Sequence, residues 1–212
     1  MSAAGDPVKP GLPEPPAIPL VNVANVLTVS RLVLVPVFLI TLFAGGGHET
    51  GWRIVATLVF AVASITDNLD GRLARKHGLV TDFGKIADPI ADKALIGSAL
   101  VGLSLLGDLP WWVTVVIAVR EIGVTLLRFW VIRYGVIPAS RGGKWKTLTQ
   151  IVAIGLFLLP LPEAFDPLLW IVMGVALVLT VVTGLDYVFR AVRLRAAGRR
   201  ARPVEPRSGE PG

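Results

Sequence analysis

Between residues 26 and 189 the chain is a series of apolar runs, interrupted by short stretches rich in glycine, proline and charge. A helix needs about 20 apolar residues to cross a hydrocarbon core, and most of these runs come close to that length. Composition agrees: of 212 residues 53% are hydrophobic and 17% charged, and the mean hydropathy is +0.68, far from the balance of a water-soluble domain. The pattern predicts an all-α membrane protein with six transmembrane helices, at about 26–44, 52–75, 89–106, 110–134, 148–161 and 167–189. The fifth is short, and the Asp88-Pro89 pair reads as the N-cap of the third. A segment at 20–25 reads as a short interfacial lead-in.

The remaining chain divides simply. Residues 1–19 hold six of the 16 prolines and read as a disordered tail. Residues 20–195 form one transmembrane domain, and 196–212 are a basic, proline-containing tail that is expected to fray. No apolar core follows a basic start at the N-terminus, as a cleavable signal would require. Lys and Arg total 21 against 15 Asp and Glu; beside membrane spans this excess marks cytoplasmic flanks rather than nucleic-acid binding. The loops at 45–53, 107–110 and 160–166 carry Arg53 as their single Lys or Arg, whereas the loops around Lys76 and Lys144 and the C-terminal tail are basic. Both termini therefore belong on the cytoplasmic side of the plasma (inner) membrane, together with a polar cavity formed around residues 67–92. With no cysteine in the chain, disulfides, thiolate metal sites and cysteine nucleophiles are excluded.

Residues 67–92, DNLDGRLARKHGLVTDFGKIADPIAD, carry the chemistry. On a helix, Asp67 and Asp70 share a face, and so do Asp88 and Asp92. Four carboxylates beside a bilayer repel one another and resist dehydration, so they call for cations. Oxygen donors without His or Cys favour hard ions, Mg²⁺ or Mn²⁺, which commonly share their coordination with substrate phosphates. Gly71, Ala74 and Arg75 continue the face: a shallow floor that admits a nucleotide to the backbone, then a guanidinium for a phosphate. Paired acids holding two metals imply displacement at phosphorus. A cation-coupled transporter would also need buried acids, but their clustering at one membrane face and the lack of an internal repeat weigh against it.

The order Asp67-x2-Asp70-Gly71-x2-Ala74-Arg75-x8-Gly84-x3-Asp88-x3-Asp92 resembles the signature of the CDP-alcohol phosphatidyltransferases at every position. The resemblance implies six helices, a homodimer, and transfer of a phosphatidyl group from a CDP-linked lipid to an alcohol with release of CMP. It implies further that Asp67, Asp70, Asp88 and Asp92 hold two Mg²⁺ or Mn²⁺ ions per active site, that Asp92 is the general base, and that Gly71, Ala74, Arg75 and Thr81 contact the CDP moiety. Three more stretches resemble the members that take sn-glycerol 3-phosphate: NVLTVSRLVLVP with Asn25, Thr28 and Arg31, which would also serve the CDP-lipid; REIGVTLLR with Arg120, Glu121 and Arg128; and GKWKTLTQ with Lys144, Lys146 and Thr147. Arg120 and Arg128 are eight residues apart, hence on one helix face, and with Lys144 they are candidates for the acceptor's phosphate. The expected reaction converts CDP-diacylglycerol and sn-glycerol 3-phosphate to phosphatidylglycerol phosphate, with membrane lipids around the enzyme. Phosphatidylglycerol or inositol phosphate is the alternative acceptor. For Arg120 the competing reading is a pair with Glu121 that only orients helices.

Other features read as structure. Trp52, Trp111, Trp112 and Trp170 lie at span ends as an interfacial belt. Gly97, Gly102, Gly123, Gly155, Gly174 and Gly184 read as close-packing positions. His48 and His77 are loop residues without an evident partner, and Asp186 has no assigned role.

Overall fold

The computed structural model describes residues 23–77, 82–131 and 141–200, with side chains for 26–66, 90–127, 129–131, 143 and 145–196. The expected N-terminal tail, Thr81 and residues 201–212 lie outside the described residues. Six long helices follow in order: α1 Val23–Phe43, α2 Thr50–His77, α3 Asp82–Leu105, α4 Trp111–Val131, α5 Arg141–Leu158 and α6 Asp166–Arg200, with short 3₁₀ turns at Ala44–Gly47 and Glu163–Phe165.

The helix count agrees with the expectation from hydropathy, and several boundaries differ. Residues 23–25 of the expected lead-in belong to α1 itself, and residues 20–22 lie outside the described residues. α3 starts at Asp82, so Asp88 and Pro89 lie inside the helix and are not its cap. α5 starts at Arg141 and spans 18 residues, so its polar first turns make up for the short apolar run. The C-terminal basic stretch stays helical through Arg200. Arg195 helps to hold it, with its guanidinium carbon 4.1 Å from the centroid of the Trp130 ring on α4, a contact that attaches the end of α6 to its neighbour.

Two stretches are long and apolar enough by themselves to cross a bilayer, Val26–Gly47 and Glu163–Ala196, and Thr50–Thr66 and Trp145–Leu158 are shorter apolar helices. Charges interrupt α3 and α4, which carry Asp92 and Lys93, and Arg120 and Glu121. The outer surface is apolar: Ile40, Phe129 and Phe189 are each about 70% exposed. Such a surface is suited to lipid and would aggregate in water.

α1 packs most extensively on α2 and α3, and α6 on α4 and α5. Phe38, Leu42, Phe60, Leu103, Ile117, Ile154 and Met173 form the buried core between these groups. Gly102 lets α1 and α3 approach, because a Cβ there would come within 2.5 Å of the Leu42 side chain. Gly184 of α6 does the same for α4: a Cβ would meet Arg120 Cγ at 3.1 Å. Gly97, Gly123, Gly155 and Gly174 have nothing within 4 Å of such a Cβ, so the packing role expected for them does not hold among the described contacts.

α1, α3 and α5 end where α2, α4 and α6 begin. At this end Gly45, Gly46 and Gly47 have φ of 59, 73 and 81°, a left-handed path that L side chains resist. Here Asp108 accepts from the buried Arg53 and lies 3.5 Å from His48 Nε2, so His48 does have a partner. Trp52, Trp111, Trp112 and Trp170 all lie in the first turns of α2, α4 and α6, partly exposed at this same end.

Candidate active site

The opposite end holds the acidic motif. Asp67 and Asp70 fall in the C-terminal part of α2, and Asp88 and Asp92 in α3. Both helices are continuous through these positions, so the spacings of three and four residues keep each pair on one face. Asp67, Asp70, Gly71, Ala74, Arg75 and Asp88 are described as backbone only, as are Asn25 and Lys144; the same limit applies to Arg128, near the end of α4. The oxygen-only donor set suits a hard divalent cation.

Asp92 is partly buried and lines a cavity of about 260 Å³ between α3, α4 and α5. α3 supplies two rails at helical spacing, Asp92, Ile96 and Leu100, and Lys93, Gly97 and Val101. The facing walls bring Glu121 from α4 and Lys146 and Gln150 from α5. The lining thus combines charged groups, Asp92, Lys93, Glu121 and Lys146, with apolar side chains such as Ile96, Leu100 and Val101.

The charged wall is a chain across three helices. Lys146 Nζ donates to Glu121 Oε1, and Arg120 Nη1 donates to the same oxygen at 2.9 Å. Arg120 Nη2 donates to Thr183 Oγ1 of α6, also at 2.9 Å. The three charges sum to one positive unit beside Asp92 and the cavity, while Lys146 is only 5% exposed. Glu121 offsets two cations that would otherwise repel each other during burial.

Sequence reasoning singled out Arg120, Arg128 and Lys144. The structure brings Arg120 to Glu121 and Thr183 instead of the cavity wall, and Lys146, quoted from sequence only within the GKWKTLTQ stretch, lines the cavity. The signal for Lys146 and Gln150 lay in their spacing of four, which puts two polar side chains on one face of α5. On α1, Thr28 and Arg31 are buried one turn apart, in the helix that packs on both motif-bearing helices. Asp186 accepts two bonds from Arg190 Nε, at 3.0 and 2.9 Å, on an exposed face of α6.

Comparisons with known proteins identify the family. The family model for CDP-alcohol phosphatidyltransferase matches residues 21–182. A "Probable phosphatidylglycerophosphate synthase" of Mycobacterium tuberculosis (strain ATCC 25618 / H37Rv) is 62% identical over 174 residues, 82% of this chain and 83% of that protein. A "CDP-diacylglycerol--glycerol-3-phosphate 3-phosphatidyltransferase" of Bacillus subtilis (strain 168) is 38% identical over 179 residues, 78% of this chain and 93% of its own. A "Cardiolipin synthase (CMP-forming)" of Oryza sativa subsp. japonica is 38% identical over 166 residues, 71% of this chain and 49% of its own. With the signature complete, its two halves carried on adjacent helices and the match running through most of the helical bundle, this chain belongs to the CDP-alcohol phosphatidyltransferase family.

Proposed function

We propose that the protein transfers the phosphatidyl group of CDP-diacylglycerol to sn-glycerol 3-phosphate, giving phosphatidylglycerol phosphate and CMP. The observation that carries this reading is the cavity in which Asp92 and Lys146 share one wall system with Glu121. A carboxylate able to take a proton lies in the same pocket as a net positive cluster able to hold an anionic alcohol. Names of relatives from two bacteria support the same acceptor.

In this reading the acceptor's 1-hydroxyl attacks the phosphorus that bears diacylglycerol, and Asp92 takes the hydroxyl proton. The bond from that phosphorus to the CMP oxygen breaks, and CMP leaves. Asp67, Asp70, Asp88 and Asp92 would hold two Mg²⁺ or Mn²⁺ ions, which supply charge neutralisation for the pyrophosphate. Gly71, Ala74, Arg75 and Thr81 would contact the CDP moiety, and Asn25, Thr28 and Arg31 would serve the CDP-lipid. Lys146, with Arg128 and Lys144 at the helix ends, binds the acceptor's phosphate, and Arg120 acts through Glu121. The enzyme works as a multi-pass homodimer with both termini and the active site facing the cytoplasm, in line with the distribution of Lys and Arg.

The test is purified protein with CDP-diacylglycerol and Mg²⁺ or Mn²⁺. CMP release should require glycerol 3-phosphate; release with phosphatidylglycerol instead would replace the acceptor with that of a cardiolipin synthase. Asp92→Asn should abolish turnover while CDP-diacylglycerol still binds, and retained turnover would remove Asp92 as the base.

A further inference from the structure

Gln150 lies one turn after Lys146 on α5, and both side chains line the cavity that holds Asp92. Gln150 is 2% exposed, yet its Oε1 makes no hydrogen bond. The two threonine hydroxyls on the cavity wall are already engaged elsewhere. The Thr114 hydroxyl bonds Ser104 Oγ at 2.7 Å and the Leu100 carbonyl at 3.2 Å. Thr147 Oγ1 donates to the Gly143 carbonyl at 3.1 Å, and Lys146 Nζ donates to Glu121 rather than to Gln150, with further N–H groups left for a ligand. A buried amide oxygen left without a donor is unfavourable, and native interiors seldom tolerate one. Here a ligand in the cavity can supply the missing partner.

We infer that the Gln150 carboxamide reads the hydroxyl on the middle carbon of the acceptor, an inference that rests on the acceptor reading above. A neutral amide suits a neutral hydroxyl, which both donates and accepts and so can pair with either end of the carboxamide. The pairing also fits the helix. One turn of α5 rises about 5.4 Å, of the same order as the distance from a terminal phosphate to the hydroxyl on the middle carbon of a three-carbon chain. Lys146 then holds the phosphate while Gln150 holds the second hydroxyl, which leaves the first hydroxyl free for attack. Gln150 is a specificity residue in this scheme and moves no proton.

The experiment compares sn-glycerol 3-phosphate with 3-hydroxypropyl phosphate, which lacks the middle hydroxyl, as acceptors for the full-length enzyme with CDP-diacylglycerol. The wild type should favour glycerol 3-phosphate by about 10- to 100-fold in kcat/KM, as expected when the analogue leaves one buried amide unpaired. Gln150→Leu should bring the two acceptors to within about threefold. The loss should fall on glycerol 3-phosphate, mainly in KM, with 3-hydroxypropyl phosphate turnover unchanged or improved. Gln150→Glu keeps an acceptor for the hydroxyl and should restore part of the preference; it also serves if Gln150→Leu fails to fold. An unchanged preference in a folded Gln150→Leu, or none in the wild type, overturns the inference while the acceptor reading stands. Wild-type enzyme that turns over another alcohol and not glycerol 3-phosphate overturns both.

Discussion

Glu121 is placed where its loss would leave two cations facing each other. Arg120 and Lys146 share its carboxylate oxygen, and both lie largely out of water, with side chains 12% and 6% exposed. Removing one partner of such a group costs more than the net value of the interaction, because the remaining charges keep their desolvation penalty. Glu121→Ala should therefore destabilise the protein by on the order of 3 kcal/mol, read as a lower thermal midpoint in detergent. By contrast, Asp186→Ala removes an exposed pair within one helix and should leave the midpoint unchanged. Spacing along the chain suggested Arg120 as a cavity cation because residues eight apart share a face. It could not reveal that the guanidinium reaches α6, since that depends on Gly184 leaving room for it.

At the scale of helices, glycines separate into two kinds that look alike in sequence. Gly102 and Gly184 lie where a neighbouring side chain already fills the space of a Cβ, so they set how closely helices approach. Gly97 has nothing within 4 Å of that position and forms part of the cavity wall. Gly97→Leu should therefore fold with its thermal midpoint little changed while losing most turnover, because the new side chain occupies space meant for substrate. A matched loss of stability and activity would instead return Gly97 to a packing role. The helices themselves were legible in the chain, as were the glycine break after α1 and the motif's position across α2 and α3. The beginnings of α3 and α5 were not. Charged and polar first turns hide a helix from a hydropathy reading, and the backbone bonds of those turns form regardless of the solvent around their side chains.

For the whole molecule, the two ends differ in kind. One end gathers four of the six tryptophans and the Arg53, Asp108 and His48 contact; the other carries the four aspartates of the motif and most of the basic residues. Asp108→Ala would leave Arg53 buried without its carboxylate and should cost about 2 to 4 kcal/mol, measured as thermal stability, with KM for both substrates unchanged. The orientation can be read directly because the chain has no cysteine. A cysteine at Glu49 should react with a membrane-impermeant maleimide on intact cells, and one at Gly143 only after permeabilisation. The reverse pattern would invert the proposed topology.

The sequence by itself determined the apolar, helical character of the chain, the number of helices and the reaction class. The length of apolar runs and the spacing of four carboxylates depend only on local geometry, which each segment carries with it. Tertiary structure decided which charges meet: Lys146 with Glu121 across α5 and α4, Arg120 with Thr183 across α4 and α6, and Arg53 with Asp108. Those pairings follow from the register and approach of separate helices, fixed by contacts such as Gly102 against Leu42 and Gly184 against Arg120. No single segment holds that information, because it arises only when the buried faces of several helices are packed together.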